Sequence, residues 1–344
     1  MRKLRQSQRI GLQIFVLMLL LILVIIVSTG LGYIDLSYFE VVKIIFAKIT
    51  GNEVLLQGMD KLYPVVVTEV RLPRILTAAI VGSGLAISGV VFQGILLNPL
   101  ADPYTLGVSA GAAFGASIAL LFGLNFLGAY SVPLFAFLGA ISTLIFVIYL
   151  SSSRAGMSSN NLILSGIIVA AILSAGISFL KYLADEQVSI IIFWLMGSFG
   201  SSTWTEVLLS LLFVSIALLI FIVFARDLNL MSLGERSASS LGVETKKVMM
   251  ILLVTASLVA AVCVSVSGII GFVGLLIPHM MRSLTGPDNQ KLIPVSLLAG
   301  AILLLCADTV TRAVLPSEVP IGVLTALIGG PFFCYIFRKR QLAT

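Results

Sequence analysis

Three arginines at the ends of apolar segments are the side chains of this sequence best suited to bind a carboxylate. Arg71 and Arg74 stand in the sequence RLPR, and Arg312 follows Asp308 by four residues. A guanidinium group presents parallel N–H donors that match the two oxygens of a carboxylate. Two simpler explanations stay open, because arginine stems often lie along lipid at helix ends and because residues four apart on a helix form ion pairs.

The other reactive side chains form no catalytic or metal-binding pattern. His279 is the single histidine, and no Cys, Asp or Glu nearby completes a metal site. Cys263, Cys306 and Cys334 lie in apolar runs without CxxC spacing, which is typical of packing residues. A hydrolase would need a serine beside a general base, and nothing directs a serine toward His279. The nucleotide-binding pattern GxxxxGK[ST] is absent. The sequence therefore favours a protein that is not an enzyme and does not itself use ATP.

The composition indicates an all-α protein that crosses a membrane many times. Hydrophobic residues make up 59% of the chain and charged residues 10%, with a mean hydropathy of +1.15. So few polar side chains cannot cover a soluble domain. At about 20 residues per crossing, we expect about ten spans in one domain, residues 1–344. The predicted ranges are 10–30, 64–92, 104–123, 131–150, 161–183, 203–225, 246–267, 269–283, 291–312 and 320–337.

The distribution of charge predicts the orientation of the spans. Placing both termini in the cytoplasm assigns 14 of the 21 Lys and Arg residues to the cytoplasmic side, as the positive-inside rule expects. Arg71, Arg74 and Arg312 then lie on the outer side. Residues 10–30 are too long for the apolar core of a signal peptide and have no small-residue cleavage site after them, so we expect an uncleaved first span.

Two short helices are predicted outside the spans, on the outer surface. Residues 188–196 form one of them, although the sequence predicts equally well that they continue the fifth span. Residues 37–49 form the other, with an apolar face made of Phe39, Val42, Ile45, Phe46 and Ile49.

The segment between the second and third spans must turn sharply. Its sequence NPLADP, residues 98–103, contains two prolines, which cannot continue a helix. Asn98 is most simply a turn residue, since Asn favours turns that contain proline. Small residues then recur at every fourth position, a spacing that lets two helices approach closely: Gly107, Gly111 and Gly115.

The longest predicted cytoplasmic connection, residues 225–247, carries apolar side chains among polar ones. Gly234 and Gly242 interrupt it, so we expect two short helices. Apolar side chains exposed on such a loop would indicate a partner surface, and the less favoured alternative is that they pack against the base of the bundle. They are Leu228, Leu230, Leu233, Ala238 and Leu241.

Several of these motifs together resemble one family. The chain is similar to the FecCD-type permeases, the membrane subunits of bacterial type II ABC importers for iron-siderophores, haem and cobalamin. The resemblance extends over nearly the whole chain. It is carried by RLPR, the Gly-rich helix after it, NPLADP, the following Leu-Gly, and residues 234–242, 271–282 and 316–331.

The resemblance implies a role for most of the residues singled out above. It implies that Arg71, Arg74 and Arg312 dock acidic side chains of an extracytoplasmic binding protein. It implies a cytoplasmic gate formed by Asn98, Leu100, Ser159 and Asn160. It implies a coupling element, within residues 225–247, that contacts the ATPase through Leu233, Gly234, Glu235, Ala238, Leu241 and Gly242.

The resemblance also implies an architecture and a set of partners. The ten spans would form two related five-helix halves, which the faint similarity between residues 82–99 and 271–287 suits. A second permease copy or a related permease, ATPase subunits and a binding protein would complete the complex in the bacterial plasma membrane. The chain itself would bind no cofactor, because ATP and Mg²⁺ belong to the ATPase. A ferric siderophore is the expected substrate, with haem or cobalamin as alternatives.

A transporter driven by an ion gradient is the rival from another functional class. Such proteins usually carry ionisable residues near the middle of the membrane for ion coupling. Asp308 and Glu206 are the deepest candidates here, and both fall near the ends of predicted spans. This placement counts against the rival.

Overall fold

The described residues of the computed structural model form thirteen α-helices, which confirms the all-α prediction. The structure describes residues 2–341 except 33, 35, 154–155 and 314–317. The sole β-structure among them is a pair of antiparallel strands of two residues each, Ser152–Ser153 and Gly156–Met157. The helices are α1 Arg2–Gly30, α2 Tyr38–Thr50, α3 Leu62–Ile95, α4 Val108–Leu121, α5 Ser131–Ser151, α6 Ser159–Leu183, α7 Val188–Leu195, α8 Trp204–Met231, α9 Glu235–Ser240, α10 Thr245–Ser267, α11 Val273–Thr285, α12 Asn289–Ala313 and α13 Ile321–Gln341.

Each of the ten predicted spans coincides with a helix, but the helices differ in length. Within the described residues seven are long and apolar enough to cross a membrane: α1, α3, α5, α6, α8, α10 and α12. Helices α4 and α11 have 14 and 13 residues. At 1.5 Å per residue they extend for about 20 Å, less than the roughly 30 Å of hydrocarbon in a bilayer. The number of crossings and the side on which the termini lie therefore stay predictions.

The two short helices occupy corresponding places in the order of spans. Helix α4 is third of the ten and α11 is eighth, so each is the third span of a five-helix half. This order suits the predicted halves. The two similar sequence segments do not occupy corresponding places, because residues 82–99 end the second span and residues 271–287 form the eighth. The halves stay a prediction.

Helix α3 is the centre of the bundle. Within the most apolar 18 residues of α3, 89% are buried, whereas none of the corresponding residues of α1 is. It packs on α8, α10, α11 and α12. Glycines permit the closest approaches, since a Cβ on Gly82 would lie 2.3 Å from the carbonyl oxygen of Gly300 in α12. A Cβ on Gly89 would lie 1.8 Å from the carbonyl oxygen of Gly274 in α11. Only glycine fits at such contacts.

The small-residue spacing after the turn has the predicted effect. Gly107 adopts φ +75° just before α4, and Gly111 and Gly115 face Gly139 of α5. A Cβ on Gly111 would lie 2.1 Å from the hydroxyl of Thr143. Helices α4 and α5 are thus held together at backbone distance.

Both short helices predicted outside the spans are present. Helix α2 begins with a capping box formed by Ser37 and Glu40. It buries one face in the protein and exposes most of the predicted apolar face: Phe39, Val42, Phe46 and Ile49 are exposed, and Ile45 is half-buried. Helix α7 is separate from α6, because the turn Asp185–Gln187 interrupts the chain between them. The alternative of a longer fifth span is therefore wrong.

Candidate functional site

Arg71 and Arg312 bind the carboxyl end of α1. The last carbonyls of a helix lack partners within it and carry its negative partial charge, so cations are favoured there. Arg71 donates to the carbonyls of Thr29 (2.7 Å), Gly30 (3.1 Å) and Ile34, and Arg312 donates to those of Ser28 (2.8 Å) and Leu31 (2.5 Å). The two arginines therefore fasten α1 to α3 and α12.

Arg74 holds two carboxylates of different character. Its Nε lies 3.1 and 3.2 Å from the two oxygens of Asp308, and its Nη2 lies 3.0 Å from one of them. Its Nη1 donates to Glu318 at 3.1 Å. The Asp308 side chain is 1% exposed and the Glu318 side chain 60%. The predicted pair of Asp308 with Arg312 is present but long, 3.9 Å, so Arg74 is the main partner of Asp308.

Together these side chains form one cluster, which we call the arginine end of the bundle. Arg71 is 6% exposed and Arg74 9%. The interfacial-anchor explanation is therefore wrong, because it requires guanidinium groups in water. The docking role stays a prediction. Arg74 also borders a cavity of about 190 Å³, whose other lining residues are Phe193, Gly197, Ser198, Phe199, Asp308, Thr311, Glu318, Val319, Pro320 and Ile321.

A π-helical segment in α3 leads into the arginine end. Residues Val66–Arg71 form it, and the indole Nε1 of Trp204 in α8 donates to the carbonyl of Thr68 at 2.9 Å. Segments of this kind are frequent at functional sites, because the extra residue in the turn redirects the side chains after it. Hydropathy gave no sign of this irregularity.

At the opposite end of the bundle, residues 96–107 form a hydrogen-bonded turn. The side-chain oxygen of Asn98 accepts from the backbone N–H of Leu100 at 3.0 Å, as predicted for a turn residue. Asp102 accepts from the N–H of Tyr104 and the hydroxyl of Thr105. Leu100 is 44% exposed, so its side chain projects from a fixed turn.

Ser159 bonds to the residue just before this turn. The hydroxyl of Ser159 donates to the carbonyl of Ile95 at 3.2 Å, which fastens the start of α6 to the end of α3. Asn160 is exposed. Beside Ser159 lies a cavity of about 580 Å³, lined by Gly94, Ile95, Leu97, Ser152, Ser158, Ser159, Asn161, Met231, Glu235, Thr245, Lys246, Met249 and Met250. Ser159 and Glu235 of the predicted coupling element thus share one cavity.

The predicted coupling element is one short helix, α9, not two. Helix α8 continues to Met231, so the residues predicted to form the first short helix are the last turns of α8. Leu233 is 61% and Leu241 59% exposed, whereas Leu228 is 1% exposed and Ala238 is fully buried. Packing against the bundle therefore explains Leu228 and Ala238, whereas Leu233 and Leu241 are exposed and their contact with a partner stays a prediction. Ala238 anchors α9 to the bundle and does not face outward.

Two glycines bracket α9 and allow its orientation. Gly234 adopts φ +97° and Gly242 φ +89°, values that other residues rarely adopt. No atom lies within 4 Å of a Cβ built on either one, so backbone conformation and not space requires glycine there. Ten of the residues from Glu235 to Lys247 line an open groove next to α9.

A hydrogen-bonded cluster between the end of α8 and the start of α12 escaped the sequence-based prediction. Asn229 near the end of α8 donates to Asp288 at 2.8 Å and accepts from the backbone N–H of Asn289 at 2.9 Å. Although partial burial favours the neutral acid, bonds from Asn229, the N–H of Gln290 and Lys291 outweigh it and hold the pKa of Asp288 below its ordinary value. This cluster joins α8 to the start of α12.

A second polar link inside the bundle was also missed. Arg282 of α11 donates from Nη1 to the side-chain oxygen of Gln93 at 2.8 Å, and Gln93 donates to the carbonyl of Leu275 at 3.2 Å. Gln93 is buried in the last turn of α3. An amide within the otherwise apolar residues 89–97 was the available signal. Among the described residues, no group of three or more His, Cys, Asp or Glu is arranged to hold a metal ion.

Comparison with known proteins identifies the family. A sequence model of the FecCD transport family matches residues 20–339. The molybdate import system permease protein MolB of Haemophilus influenzae is 41% identical over 92% of each chain. The Fe(3+)-citrate import system permease protein YfmE of Bacillus subtilis is 36% identical over 97% of each.

A solved structure gives the same answer for the fold. The structure of a metal-chelate-type ABC transporter in an inward-facing conformation contains a chain with a TM-score of 0.82 and 37% identity, covering 95% of this chain and 98% of that one. The helices, their order and the sequence match therefore agree over nearly the full length. This chain belongs to the FecCD transport family and is a multi-pass membrane permease subunit of an ABC importer.

Proposed function

We propose that this permease carries a ferric siderophore into the bacterial cytoplasm. The substrate class is supported by the relative that imports ferric citrate, similar over 97% of each chain, and by the metal-chelate transporter of similar structure. Haem and cobalamin are alternatives of the same chemical kind, since both are large metal chelates. MolB indicates a different substrate, molybdate, and its identity to this chain is higher than that of YfmE. The experiment below therefore includes it.

The energy for transport comes from a separate ATPase that engages α9. The observation that carries this assignment is the division of apolar side chains on and beside that helix: Ala238 is buried and fixes α9, while Leu233 and Leu241 point away from the bundle. Exposed leucines on either side of a fixed helix, next to an open groove, are suited to insert into a partner surface. Glu235 begins α9 and also lines the cavity beside Ser159, so movement of α9 changes the shape of that cavity.

The turn at residues 96–107 is the gate in this proposal. Two permease chains pair, and the Leu100 side chains of both face one another across the path. An apolar constriction blocks passage because it excludes water. Asn98 fixes the turn from which Leu100 projects, and Ser159 holds the turn to α6. Asn160, which is exposed, borders the path farther along.

The arginine end receives the binding protein on the outer side. Arg74 is suited to this role because it borders the cavity of about 190 Å³ and carries a carboxylate there already, that of Glu318. Arg71 is buried, Arg312 is partly buried, and both bind the end of α1. They contribute positive potential and hold the end of α1 in place, so only Arg74 contacts the acidic side chains directly.

Uptake by cells with and without this chain tests the substrate and the energy source together. Cells receive a ⁵⁵Fe-labelled ferric siderophore, with unlabelled haem, cobalamin or molybdate as competitor. We expect uptake to require this chain, to cease when ATP is depleted and to survive a protonophore while ATP is maintained. Uptake that persists without ATP but stops with the protonophore would favour the ion-gradient rival. Chain-dependent uptake of molybdate and not of iron would overturn the siderophore assignment alone.

A further inference from the structure

We propose that Glu318 is an internal carboxylate ligand of Arg74, and that an acidic side chain of the binding protein displaces it on docking. The inference rests on the docking role proposed above for the arginine end. It adds that this chain occupies its own docking site beforehand. Docking is then an exchange of one carboxylate for another, and not the filling of an empty site.

The donors of Arg74 are divided between a permanent partner and an exchangeable one. Nε and Nη2 both face the oxygens of Asp308, at 3.0–3.2 Å, whereas only Nη1 reaches Glu318, at 3.1 Å. A guanidinium group can hold two carboxylates at different edges because its donors form a rigid planar fork. Losing Glu318 therefore leaves the contact with Asp308 intact.

Burial separates the two carboxylates in the same way. Asp308 is 1% exposed, so removing it from Arg74 would leave a charge buried without its partner. The side chain of Glu318 is 60% exposed and can turn to water, which stabilises a free carboxylate. Because Glu318 regains contact with water when it leaves Arg74, an incoming carboxylate competes with it on nearly equal terms.

The surroundings of Glu318 leave room for the exchange and hold the backbone still. The cavity of about 190 Å³ lies beside Arg74 and Glu318. The start of α13 is fixed, because the N–H of Ile321 donates to Gly197 at 3.2 Å and that of Gly322 to Met196 at 3.0 Å. Rotation of the Glu318 side chain is thus sufficient to open Nη1 to another carboxylate. No shift of α13 is needed.

While Glu318 occupies Arg74, the binding protein cannot use that site. The apparent affinity for the binding protein is therefore reduced in proportion to the fraction of sites that Glu318 leaves free. Removing its charge should therefore tighten docking. E318Q is the variant of choice, since the amide keeps the size of the side chain. E69Q is the matched control: Glu69 also lies at the arginine end, is half exposed and pairs with Lys48 at 3.6 Å and not with Arg74. It reports any general gain from removing negative charge near an acidic partner.

The experiment measures docking on the full permease with its ATPase in lipid nanodiscs. The probe is the extracytoplasmic binding protein whose deletion from the host abolishes uptake through this chain, loaded with its substrate. We expect E318Q to tighten docking about threefold to tenfold, and E69Q to change it by less than about twofold. Equal gains in the two variants, or no gain in E318Q, would overturn the role of Glu318.

A third variant separates this inference from the docking role itself. R74K keeps a cation beside Asp308, so the buried carboxylate is not left alone, but its single ammonium group cannot span both carboxylates. Weaker docking in R74K with no gain in E318Q would disprove the exchange and leave Arg74 as the docking residue. Docking by R74K that equals that of the parent chain would disprove the docking role and the exchange with it.

Discussion

Arg74 and Asp308 are 234 residues apart in the chain and meet inside the bundle, where three N–H···O contacts of 3.0–3.2 Å join α3 to α12. Each charge is buried and loses its main partner without the other, since Arg312 lies as far as 3.9 Å from Asp308 and the second partner of Arg74, Glu318, is exposed. The pair therefore fixes how these two helices fit together.

Replacing Asp308 alone should damage folding more than replacing both members of the pair. We expect D308A to lower the free energy of unfolding by about 3–5 kcal/mol, because Arg74 keeps its charge in a buried position. R74M/D308L should regain most of this loss. Reversible unfolding in mixed micelles measures both. As a control, E69A removes an exposed pair and should cost less than about 1 kcal/mol. A double variant weaker than D308A would refute the account.

Helix contacts made through glycine should not tolerate a methyl group. A Cβ on Gly89 would lie 1.8 Å from the Gly274 carbonyl oxygen, so G89A must push α3 and α11 apart. We expect a loss of about 1–3 kcal/mol or more in unfolding free energy.

G11A is the control for that substitution. Gly11 lies within α1 with no atom inside 4 Å of a built Cβ, and alanine favours helix more than glycine does. The control should therefore be neutral or slightly stabilising. Equal melting temperatures for G89A and G11A would show that the contact is looser than the structure indicates.

The exposed leucines beside α9 should matter for coupling and not for folding. Each large apolar side chain removed from a desolvated interface costs on the order of 1–2 kcal/mol, so L233A/L241A should weaken ATPase binding about tenfold or more. Membrane insertion and melting temperature of the permease alone should stay unchanged. Copurification of the ATPase and uptake in proteoliposomes are the readouts. L219A, at a position on α8 that is 65% exposed, provides the comparison and should retain full activity.

Acid should weaken the link between α8 and α12. The pKa of Asp288 is lower in the folded protein than its ordinary value of 3.8, so the carboxylate contributes stability above that pH. The contribution is lost as pH falls below 3.8 and through the folded value. Between pH 6 and pH 3, the parent chain should lose more stability than D288N, which lacks the charge throughout.

The measurement for Asp288 is the melting temperature in detergent across that pH range. E244Q is the comparison, because Glu244 pairs with Lys247 at 3.8 Å and both side chains are exposed. The melting temperature of E244Q should change with pH as that of the parent chain does. A D288N curve parallel to that of the parent would mean that Asp288 contributes nothing that depends on pH.

The helices could be predicted from hydropathy because each apolar run is local in sequence. The exceptions have physical causes. Helices α4 and α11 are shorter than their apolar runs suggest because non-helical segments precede both, residues 96–107 and 268–272. Helix α8 passes its predicted end because polar residues such as Asn229 are used inside the protein, next to Asp288.

The arginine end could be recognised but not assembled from the sequence. Arginine at the end of a span indicates an interface or a charged partner, yet nothing local indicates that Arg71 binds carbonyls about 40 residues away. The same holds for Arg74 and Glu318, whose contact depends on how α13 starts. Local patterns predicted Asp308 with Arg312, and packing replaced that partner with Arg74.

Helix α12 has its first residue, Asn289, in the Asn229 cluster at the end of α8, and its last turns carry Asp308 and Arg312. Those two ends are about 29 Å apart at 1.5 Å per residue. The only proline inside α12 is Pro294, near its start, so no proline interrupts the helix between there and Arg312. Under the proposed function, a displacement that the ATPase produces at α9 can therefore reach the arginine end along α12, without passing through the substrate path.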